Sequence, residues 1–241
     1  MRPPFDQIGL LGFDVFGTVV DWRSSVARAC EPFLRAHGVA ADALDFADAW
    51  RAQYQPAMEA VRSSRRQWVK LDVLNLENLQ RVLEAHGADT KAIDPAVLAQ
   101  LNRCWEQLDP WPDAVPGLLR LKRRFAIAPI SNGHIAGMLR LARYGGLPWD
   151  VILGAEIART YKPQPAVYLA SCAAAGLAPV EVCMVAAHNS DLAAARALGL
   201  RTVFLRRPRE HGPQQSTDLA AEQDWDIVVD SMLELADALS C

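Results

Sequence analysis

The hydrophobic pattern separates a mostly helical stretch of the chain from one in which short apolar runs alternate with helices. Residues 8–13 form the first apolar run, which is typical of a buried strand and leads directly into Asp14. From residue 20 to about residue 110 the spacing is helical, and glycine or proline marks the ends of the segments. The pattern predicts helices over residues 24 or 25 to 38 with a serine cap, 44–63 with a kink at Pro56, 67–86 and 95–108.

After residue 110 the pattern changes to apolar runs separated by amphipathic segments. Strands are predicted over residues 125–130, 151–154, 182–187, 202–205 and 227–229, and helices over residues 135–144, 166–175, 192–198 and 232–239. Near-continuous apolar strands that alternate with helices indicate an α/β fold, a doubly wound parallel sheet covered on both faces. We therefore expect a core domain of residues 1–20 and 110–241, with residues 21–109 inserted after the first strand as a helical cap.

The charge of the chain is close to balanced. Its 241 residues carry a formal net charge of -3, and 22% of them are charged. This balance gives no electrostatic attraction for nucleic acid or for an acidic membrane surface, so we expect neither as a partner. Two short basic clusters, in residues 62–66 and 206–209, are expected to be solvated.

The cysteine pattern and the hydropathy indicate where the protein works. The five cysteines are scattered and have no CxxC spacing, which favours neither disulfides nor a zinc site and is typical of a reducing cytoplasm. No stretch approaches 18 apolar residues, so we expect no membrane span. The sequence therefore predicts a cytoplasmic protein.

Polar residues follow several of the predicted strands, at the edge where parallel sheets bind ligands. An isolated aspartate at such a position usually caps a turn, but four polar strand ends at one edge indicate a site. The candidates are Asp14 and Thr18 after the first strand, Ser131 and Asn132 after the second, His188, Asn189 and Asp191 after another, and Lys162 with Tyr168 in the segment TYKPQPAVY.

These stretches resemble the motifs of a known family. FDVFGT, ISNG, YKPQPAVY and VAAHNSDLAAARALGL are similar, in order and in separation, to the four motifs of the haloacid dehalogenase superfamily. The resemblance covers nearly the whole chain, including the helical cap, and implies a Rossmann-like core. Because most members of the superfamily are phosphatases, the resemblance alone leaves the reaction open.

Two positions argue against a phosphatase. Phosphatases of the superfamily carry a second aspartate two residues after the nucleophile, where this chain has Phe16. Their metal loop has an acidic residue at the position of Ala187. Mg²⁺ is held mainly by one or two carboxylates, so the loss of these acids predicts a reaction without a metal or other cofactor.

The cap segment AWRAQY resembles the (S)-2-haloacid dehalogenase (type II) branch of the superfamily, which places the arginine that receives the halide at Arg51. The resemblance implies that Asp14 attacks C2 of a short 2-haloacid and that water then hydrolyses the aspartyl ester. Lys162 is expected to keep Asp14 ionised, and Asp191 to position Lys162 or orient the water. The remaining expected site residues are Thr18 and Ser131 at the nucleophile or substrate carboxylate, and Asn132, His188, Phe16, Tyr168 and Asn189 at the substrate or halide.

The match departs from this branch in the last motif. Ala186, His188 and Ser190 stand where the branch usually has Ser, Asn and Trp, which implies a reshaped halide pocket. His188 is open to two roles, as a halide donor or as the base for the water. The preferred halogen, with fluoride included, is also open.

Two other functions stay open from the sequence, a phosphatase with a displaced metal site and a non-catalytic protein that binds a small acid. The resemblance further implies a homodimer, with a 2-haloacid and water as the other partners.

Overall fold

The computed structural model describes residues 5–241 and shows helices arranged around a parallel sheet. The strands are β1 Leu10–Phe13, β2 Val20–Asp21, β3 Asp109–Pro110, β4 Ala126–Ser131, β5 Leu153–Gly154, β6 Val182–Ala186, β7 Arg201–Leu205 and β8 Ile227–Val229. The helices are α1 Trp22–Ala36, α2 Ala43–Ala52, α3 Tyr54–Arg62, α4 Leu71–Ala85, α5 Pro95–Asn102, α6 Ala114–Leu121, α7 Ile135–Gly145, α8 Ala155–Ala158, α9 Pro165–Ala174, α10 Asn189–Ala197 and α11 Met232–Ala238.

The main sheet has the strand order β5–β4–β1–β6–β7–β8, and its strands are parallel. Because β1 is flanked by β4 on one side and β6 on the other, the strand order changes direction there, as in doubly wound folds. Leu10 packs in one hydrophobic cluster, and Leu11 and Phe13 pack in the other, since successive strand residues point to opposite faces. The predicted α/β fold class is confirmed, and the carboxyl ends of β4, β1 and β6 lie side by side.

Helices α1 to α5 lie between β2 and β3 along the chain. These two short strands pair in antiparallel fashion, with Val20 opposite Pro110 and Asp21 opposite Asp109. The points where the chain enters and leaves the helical segment are therefore adjacent. This pairing supports a division into a core of residues 1–20 and 110–241 and a cap of residues 21–109, which stays a prediction.

Helix α1 begins earlier than the sequence predicted. Its N-terminal cap is Asp21, whose carboxylate accepts the Ser24 N–H at 3.0 Å, and neither Ser24 nor Ser25 is the cap. The Ser25 hydroxyl instead accepts the N–H of Asp109 at 2.9 Å, across the base of the inserted segment. An aspartate fits this position because its oxygen satisfies a free N–H group of the first turn.

The predicted helix over residues 44–63 is two helices, α2 and α3, which meet at Gln53. Pro56 explains the break. Its ring would clash with the carbonyl of Ala52 in a continuous helix, and it has no N–H to donate to that carbonyl. The proline therefore ends α2 at Ala52 instead of bending a longer helix.

Other helix boundaries also differ from the prediction. Helix α4 starts at Leu71 instead of residue 67, and α5 ends at Asn102, after which Arg103–Glu106 form a 3-10 turn. Helix α6 was missed, because the prolines around it were interpreted as a boundary. Pro116 lies in its first turn, where N–H groups have no helical partner, so proline is tolerated there.

The expectation of solvated basic clusters is wrong for two arginines. Arg207 is buried, donates to the Thr18 carbonyl at 2.9 Å and forms two hydrogen bonds with Asp113. Arg62 donates to the Lys162 carbonyl at 2.9 Å. Both cross-link segments that are distant in sequence, which a short run of basic residues does not reveal.

Within residues 5–241, no helix is both long enough and apolar enough to cross a membrane.

Gly154 allows β5 to approach the end of β4. Its φ is 116°, a backbone conformation that residues other than glycine rarely adopt. A Cβ atom at this position would lie 2.2 Å from the carbonyl oxygen and 2.7 Å from the nitrogen of Ser131. These contacts are with backbone, so they cannot be relieved by a side-chain rotation. Gly154 therefore helps to fix the loop that begins at Ser131.

We expect Gly154→Ala to lower the free energy of unfolding by roughly 3 kcal/mol or more, because it combines backbone strain with a backbone clash. Gly87→Ala is the matched control. Gly87 also has a positive φ, 83°, but has open space around it, so its loss should be about 1 kcal/mol. Urea denaturation followed by circular dichroism measures both, and equal losses would contradict the role of the close approach.

Candidate active site

Three neighbouring strands deliver polar residues to one cavity. Asp14 directly follows β1, Asn132 directly follows β4, and His188 lies two residues after β6. They line a cavity of about 330 Å³, to which α2 and α3 of the inserted segment also contribute. The predicted site residues that line it are Asp14, Phe16, Arg51, Asn132, Lys162, Tyr168, His188 and Asp191.

Lys162 joins two carboxylates at the base of this cavity. Its Nζ donates to Asp14 Oδ1 at 2.9 Å and also to Asp191 Oδ2. All three side chains are buried. Charges that are removed from water persist only when they are paired and hydrogen-bonded, and this arrangement provides both for Lys162.

The pairing determines the protonation states. Burial raises the pKa of Asp14, but the charges of Lys162 and His188 lower it by more, and the net shift is downward. Burial lowers the pKa of Lys162, whereas the two carboxylates raise it by more. The pKa of Asp191 is raised by burial and by the charge of Asp14, against the opposing effect of Lys162. Asp14 is therefore the stronger acid of the two and is ionised beside an ammonium group.

The second oxygen of Asp14 is held by other donors. Thr18 Oγ1 donates to Oδ2 at 2.9 Å and accepts the N–H of Ala187 at 2.9 Å. A hydroxyl has one proton, so its direction is fixed by these two contacts. His188 Nδ1 lies 3.2 Å from the same Oδ2. Both oxygens of the carboxylate are thus oriented by neighbouring groups.

Asn132 also has a fixed orientation. Its Oδ1 accepts the backbone N–H of Lys162 at 2.7 Å, which identifies this atom as the amide oxygen. The NH₂ group of Asn132 has no hydrogen-bond partner among residues 5–241, and the residue lines the cavity. It is therefore positioned to donate to a ligand.

Arg51 reaches the cavity from α2 and lies against aromatic rings. Its guanidinium carbon is 3.9 Å from the centre of the Tyr54 ring, 5.3 Å from that of Trp22 and 5.9 Å from that of Phe16. Its Nη1 is buried and has no hydrogen-bond partner in the described part of the chain. Because a buried donor without a partner is costly, this arrangement favours an anionic ligand beside Arg51.

Phe16 and Tyr168 occupy different parts of the cavity wall. Phe16 packs edge-to-face against Tyr54 and Trp105, which makes this part of the wall apolar. Tyr168 donates its hydroxyl proton to Asp191 Oδ1. Tyr168 therefore supports Lys162 indirectly, through Asp191.

The structure places two of the predicted residues elsewhere. The Ser131 hydroxyl accepts the N–H of Gly133 at 3.1 Å, so it shapes the turn after β4 and lies outside the cavity lining. Asn189 bonds to the loop that precedes β8, through Asp218, Ala220, Glu222 and Trp225. The expected contact of Asn189 with substrate is therefore corrected to a structural role, since its amide atoms are occupied by that loop.

Glu210 lines the cavity and is 1% exposed, but it is not among the site residues predicted from the sequence. It lies in the loop after β7, and its carboxylate accepts hydrogen bonds from Trp22 Nε1 at 3.0 Å and from His188 Nε2 at 2.9 Å. The rule that ligands bind at carboxyl ends of strands points to this loop. Glu210 matches no motif, however, and the arginines that precede it in the sequence suggest a solvated loop.

Within residues 5–241, no group of three or more His, Cys, Asp and Glu side chains is arranged to hold a metal ion.

Similar proteins were found at the levels of family, sequence and structure. The haloacid dehalogenase-like hydrolase family matches residues 8–199. The (S)-2-haloacid dehalogenase 1 of Pseudomonas sp. strain CBS-3 is 29% identical over 212 residues, which cover 86% of this chain and 89% of the relative.

Two solved structures are more similar in sequence. A defluorinating L-2-haloacid dehalogenase is 46% identical, with a TM-score of 0.96 and coverage of 100% of this chain and 99% of the other. Another L-2-haloacid dehalogenase is 45% identical, with a TM-score of 0.91 and coverage of 97% and 98%. These similarities confirm the resemblance that the four motifs indicated. The chain belongs to the haloacid dehalogenase-like hydrolase family.

Proposed function

We propose that this protein hydrolyses the carbon–halogen bond of short 2-haloacids and releases halide and a 2-hydroxy acid. The observation that carries the proposal is the buried, ionised carboxylate of Asp14, which shares one cavity with the guanidinium group of Arg51. The Nη1 of Arg51 has no hydrogen-bond partner among residues 5–241. The similar proteins are 2-haloacid dehalogenases, which supports 2-haloacids as the substrate class. The reaction makes the protein a hydrolase that acts on carbon–halide bonds.

Asp14 acts as the nucleophile. One of its carboxylate oxygens attacks C2 of the substrate, and the halogen leaves with the bonding electron pair, which produces an aspartyl ester. Lys162 keeps Asp14 ionised, and the hydrogen bonds from Lys162 and Thr18 orient its oxygens. A positioned nucleophile of this kind can gain an effective molarity of about 10⁵–10⁸ M.

Arg51 receives the halide. Negative charge develops on the leaving atom during the displacement, and a guanidinium group in an apolar surrounding stabilises that charge more strongly than water does. The Nη1 of Arg51, which has no hydrogen-bond partner within residues 5–241, and the aromatic rings beside it provide this combination. The NH₂ group of Asn132 donates a second hydrogen bond, to the halide or the substrate carboxylate.

A phosphatase and a non-catalytic acid-binding protein are not favoured. Phe16 occupies the position from which a phosphatase protonates its leaving oxygen, and it packs among aromatic rings. Halide leaves without needing a proton, so an apolar residue is tolerated there. A purely binding protein has no need for a carboxylate whose pKa is held low by two cations.

The homodimer and the cytoplasmic location remain proposals that rest on the resemblance and the composition. Light scattering coupled to size-exclusion chromatography measures the molar mass in solution and so tests the homodimer.

The covalent step predicts the fate of labelled oxygen. In ¹⁸O-water with enzyme in excess over 2-chloropropionate, the label should enter the carboxylate of Asp14, and the first product molecule should remain unlabelled. The reason is that the product hydroxyl takes its oxygen from Asp14, whereas water replaces that oxygen. Mass spectrometry of the peptide and the product measures both. Label found directly in the first product would contradict the ester, and Asp14→Asn should abolish halide release.

Removal of metal ions should leave the reaction unchanged. We expect the same rate of halide release from chloroacetate, fluoroacetate or 2-chloropropionate with and without EDTA, because the charges at Asp14 are balanced by side chains. Simple phosphate esters with added Mg²⁺ are the comparison, and their turnover should be undetectable. Phosphate release that EDTA abolishes would instead support a phosphatase.

Replacement of Arg51, which receives the halide, should slow the displacement step. Arg51→Met is expected to lower kcat/KM for 2-chloropropionate by about 10²–10³-fold, the usual cost of losing one donor to a developing charge. Arg35→Met is the matched control, because Arg35 lies exposed on α1 in a surface pair with Glu31. Rapid-quench measurement of halide release compares the two, and equal rates for both variants would argue against the role of Arg51.

A further inference from the structure

Glu210 is a buried carboxylate that has no role in the displacement step described above. Its Oε1 accepts the Trp22 Nε1–H at 3.0 Å, and its Oε2 lies 2.9 Å from His188 Nε2. The other ring nitrogen of His188 faces Asp14 Oδ2 at 3.2 Å. A line of three side chains therefore runs from Glu210 through the imidazole to the nucleophile.

The turn after Asp14 has room for this carboxylate only because residue 17 is glycine. A Cβ atom on Gly17 would lie 2.0 Å from Glu210 Oε1 and 2.1 Å from the carboxyl carbon. The φ of Gly17 is 91°, a backbone conformation that residues other than glycine rarely adopt. The backbone beside the nucleophile is thus shaped around Glu210.

Glu210 fixes which nitrogen of neutral His188 carries the proton. A carboxylate accepts but does not donate, so Nε2 holds its hydrogen toward Glu210. The lone pair of Nδ1 then points toward Asp14. The same logic applies wherever a carboxylate orients a histidine that acts as a general base.

Asp191 is less suited to take a proton from water. Its two oxygens already accept hydrogen bonds from Lys162 and Tyr168. These contacts hold Lys162 in place and lower the pKa of Asp191, against the rise that burial and the charge of Asp14 cause. The part of that rise that comes from Asp14 is lost once Asp14 is an ester. The cavity therefore offers His188 as the better placed base.

We propose that His188 removes a proton from the hydrolytic water once Asp14 has been esterified, and that Glu210 is the positioning residue that orients His188 for this step. The proposal rests on the proposed function, because it concerns the second half of that reaction.

The charge of Asp14 explains why His188 acts only in the second half. Burial lowers the pKa of His188, but the charges of Glu210 and Asp14 raise it by more, so the imidazole is protonated beside ionised Asp14. Ester formation removes the negative charge of Asp14, the pKa of His188 falls, and the imidazolium group loses its proton to solvent. Two charged groups contact His188, namely Asp14 and Glu210. Lys162 lies beyond Asp14, and the charges of His211 and Arg51 act on Glu210.

The hydrolytic step then balances as follows. The water oxygen bonds to the ester carbonyl carbon of Asp14 and gives one proton to His188 Nδ1. The bond from that carbon to the substrate oxygen breaks, and the departing oxygen takes the proton from His188, which releases the 2-hydroxy acid. The carboxylic acid of Asp14 returns its proton to His188, and the resting ion pair is restored. Each turnover releases one proton and one halide.

Glu210→Gln tests the orientation with little change of shape. The amide oxygen must face the Trp22 N–H, so the NH₂ group faces His188 Nε2 and shifts the histidine proton to Nδ1. We expect the first equivalent of halide to be released within about tenfold of the wild-type rate, since both oxygens of Glu210 are already bonded to Trp22 and His188. Ester hydrolysis should slow by about 10²–10⁴-fold, the usual contribution of a general base.

His188→Gln is the second variant, because it retains a donor for Asp14 but no base. Both variants should show a halide burst of about one per active site and accumulate an ester adduct on Asp14 in the intact-mass spectrum. The burst itself shows that each variant is folded and binds substrate. Glu106→Gln is the matched control, since Glu106 is also a buried carboxylate paired with a cation, Arg140, outside this cavity.

The pH profile separates a positioning role from a merely structural one. In the wild type, the rate of ester hydrolysis should rise with pH through the pKa of His188, because only the neutral imidazole accepts a proton. In Glu210→Gln this rising limb should disappear, since the neutral imidazole then carries its proton on Nδ1. Glu106→Gln should keep the wild-type profile.

Two outcomes would overturn the proposal. One is ester hydrolysis at the wild-type rate in Glu210→Gln and His188→Gln, with no adduct, which would assign the water to Asp191. The other is loss of the halide burst in both variants, which would place His188 in the first step. Failure of the proposed function is different and separable, because the wild type itself would then release no halide from any 2-haloacid.

Discussion

The contact between Lys162 and Asp14 is the interaction on which the site depends. An ammonium group and two carboxylates are buried together, which is favourable only while each charge keeps its partners. Asp14 comes from the end of β1, whereas Lys162 and Asp191 lie far along the chain. The sheet must bring these three segments to one edge, and the same contact that pairs the charges keeps Asp14 ionised.

Lys162 and Arg51, two of the cations that line the cavity, come from different parts of the fold and have different surroundings. Lys162 lies at the sheet edge, where carboxylates neutralise it, whereas Arg51 on α2 lies among aromatic rings and has a donor, Nη1, without a partner in the described residues. In the proposed reaction, a substrate between them would have the Asp14 carboxylate on one side and the Arg51 guanidinium group on the other. This asymmetry matches a displacement in which negative charge moves from the carboxylate to the leaving atom.

The predictions from sequence differ in how well they locate contacts. The strand ends at Asp14 and Asn132 could be located because near-continuous apolar runs end sharply in polar residues. Asn189 shows the limit, since a polar residue at the same strand edge bonds to a neighbouring loop instead of the cavity. Pro56 shows a similar limit for helices, because its presence indicates a disruption but not whether the helix bends or ends.

The sequence by itself determined the α/β class and the family, and it predicted which polar strand ends meet at one cavity, because hydrophobic patterning and motif spacing are local properties of the chain. Only the tertiary structure decided that Glu210 contacts His188, that Asp191 bonds to Tyr168 as well as Lys162, and that the Nη1 of Arg51 lacks a partner among residues 5–241. These facts depend on side chains from separate loops and helices that meet in space. Burial and hydrogen bonding between them arise from packing, which no short stretch of sequence encodes.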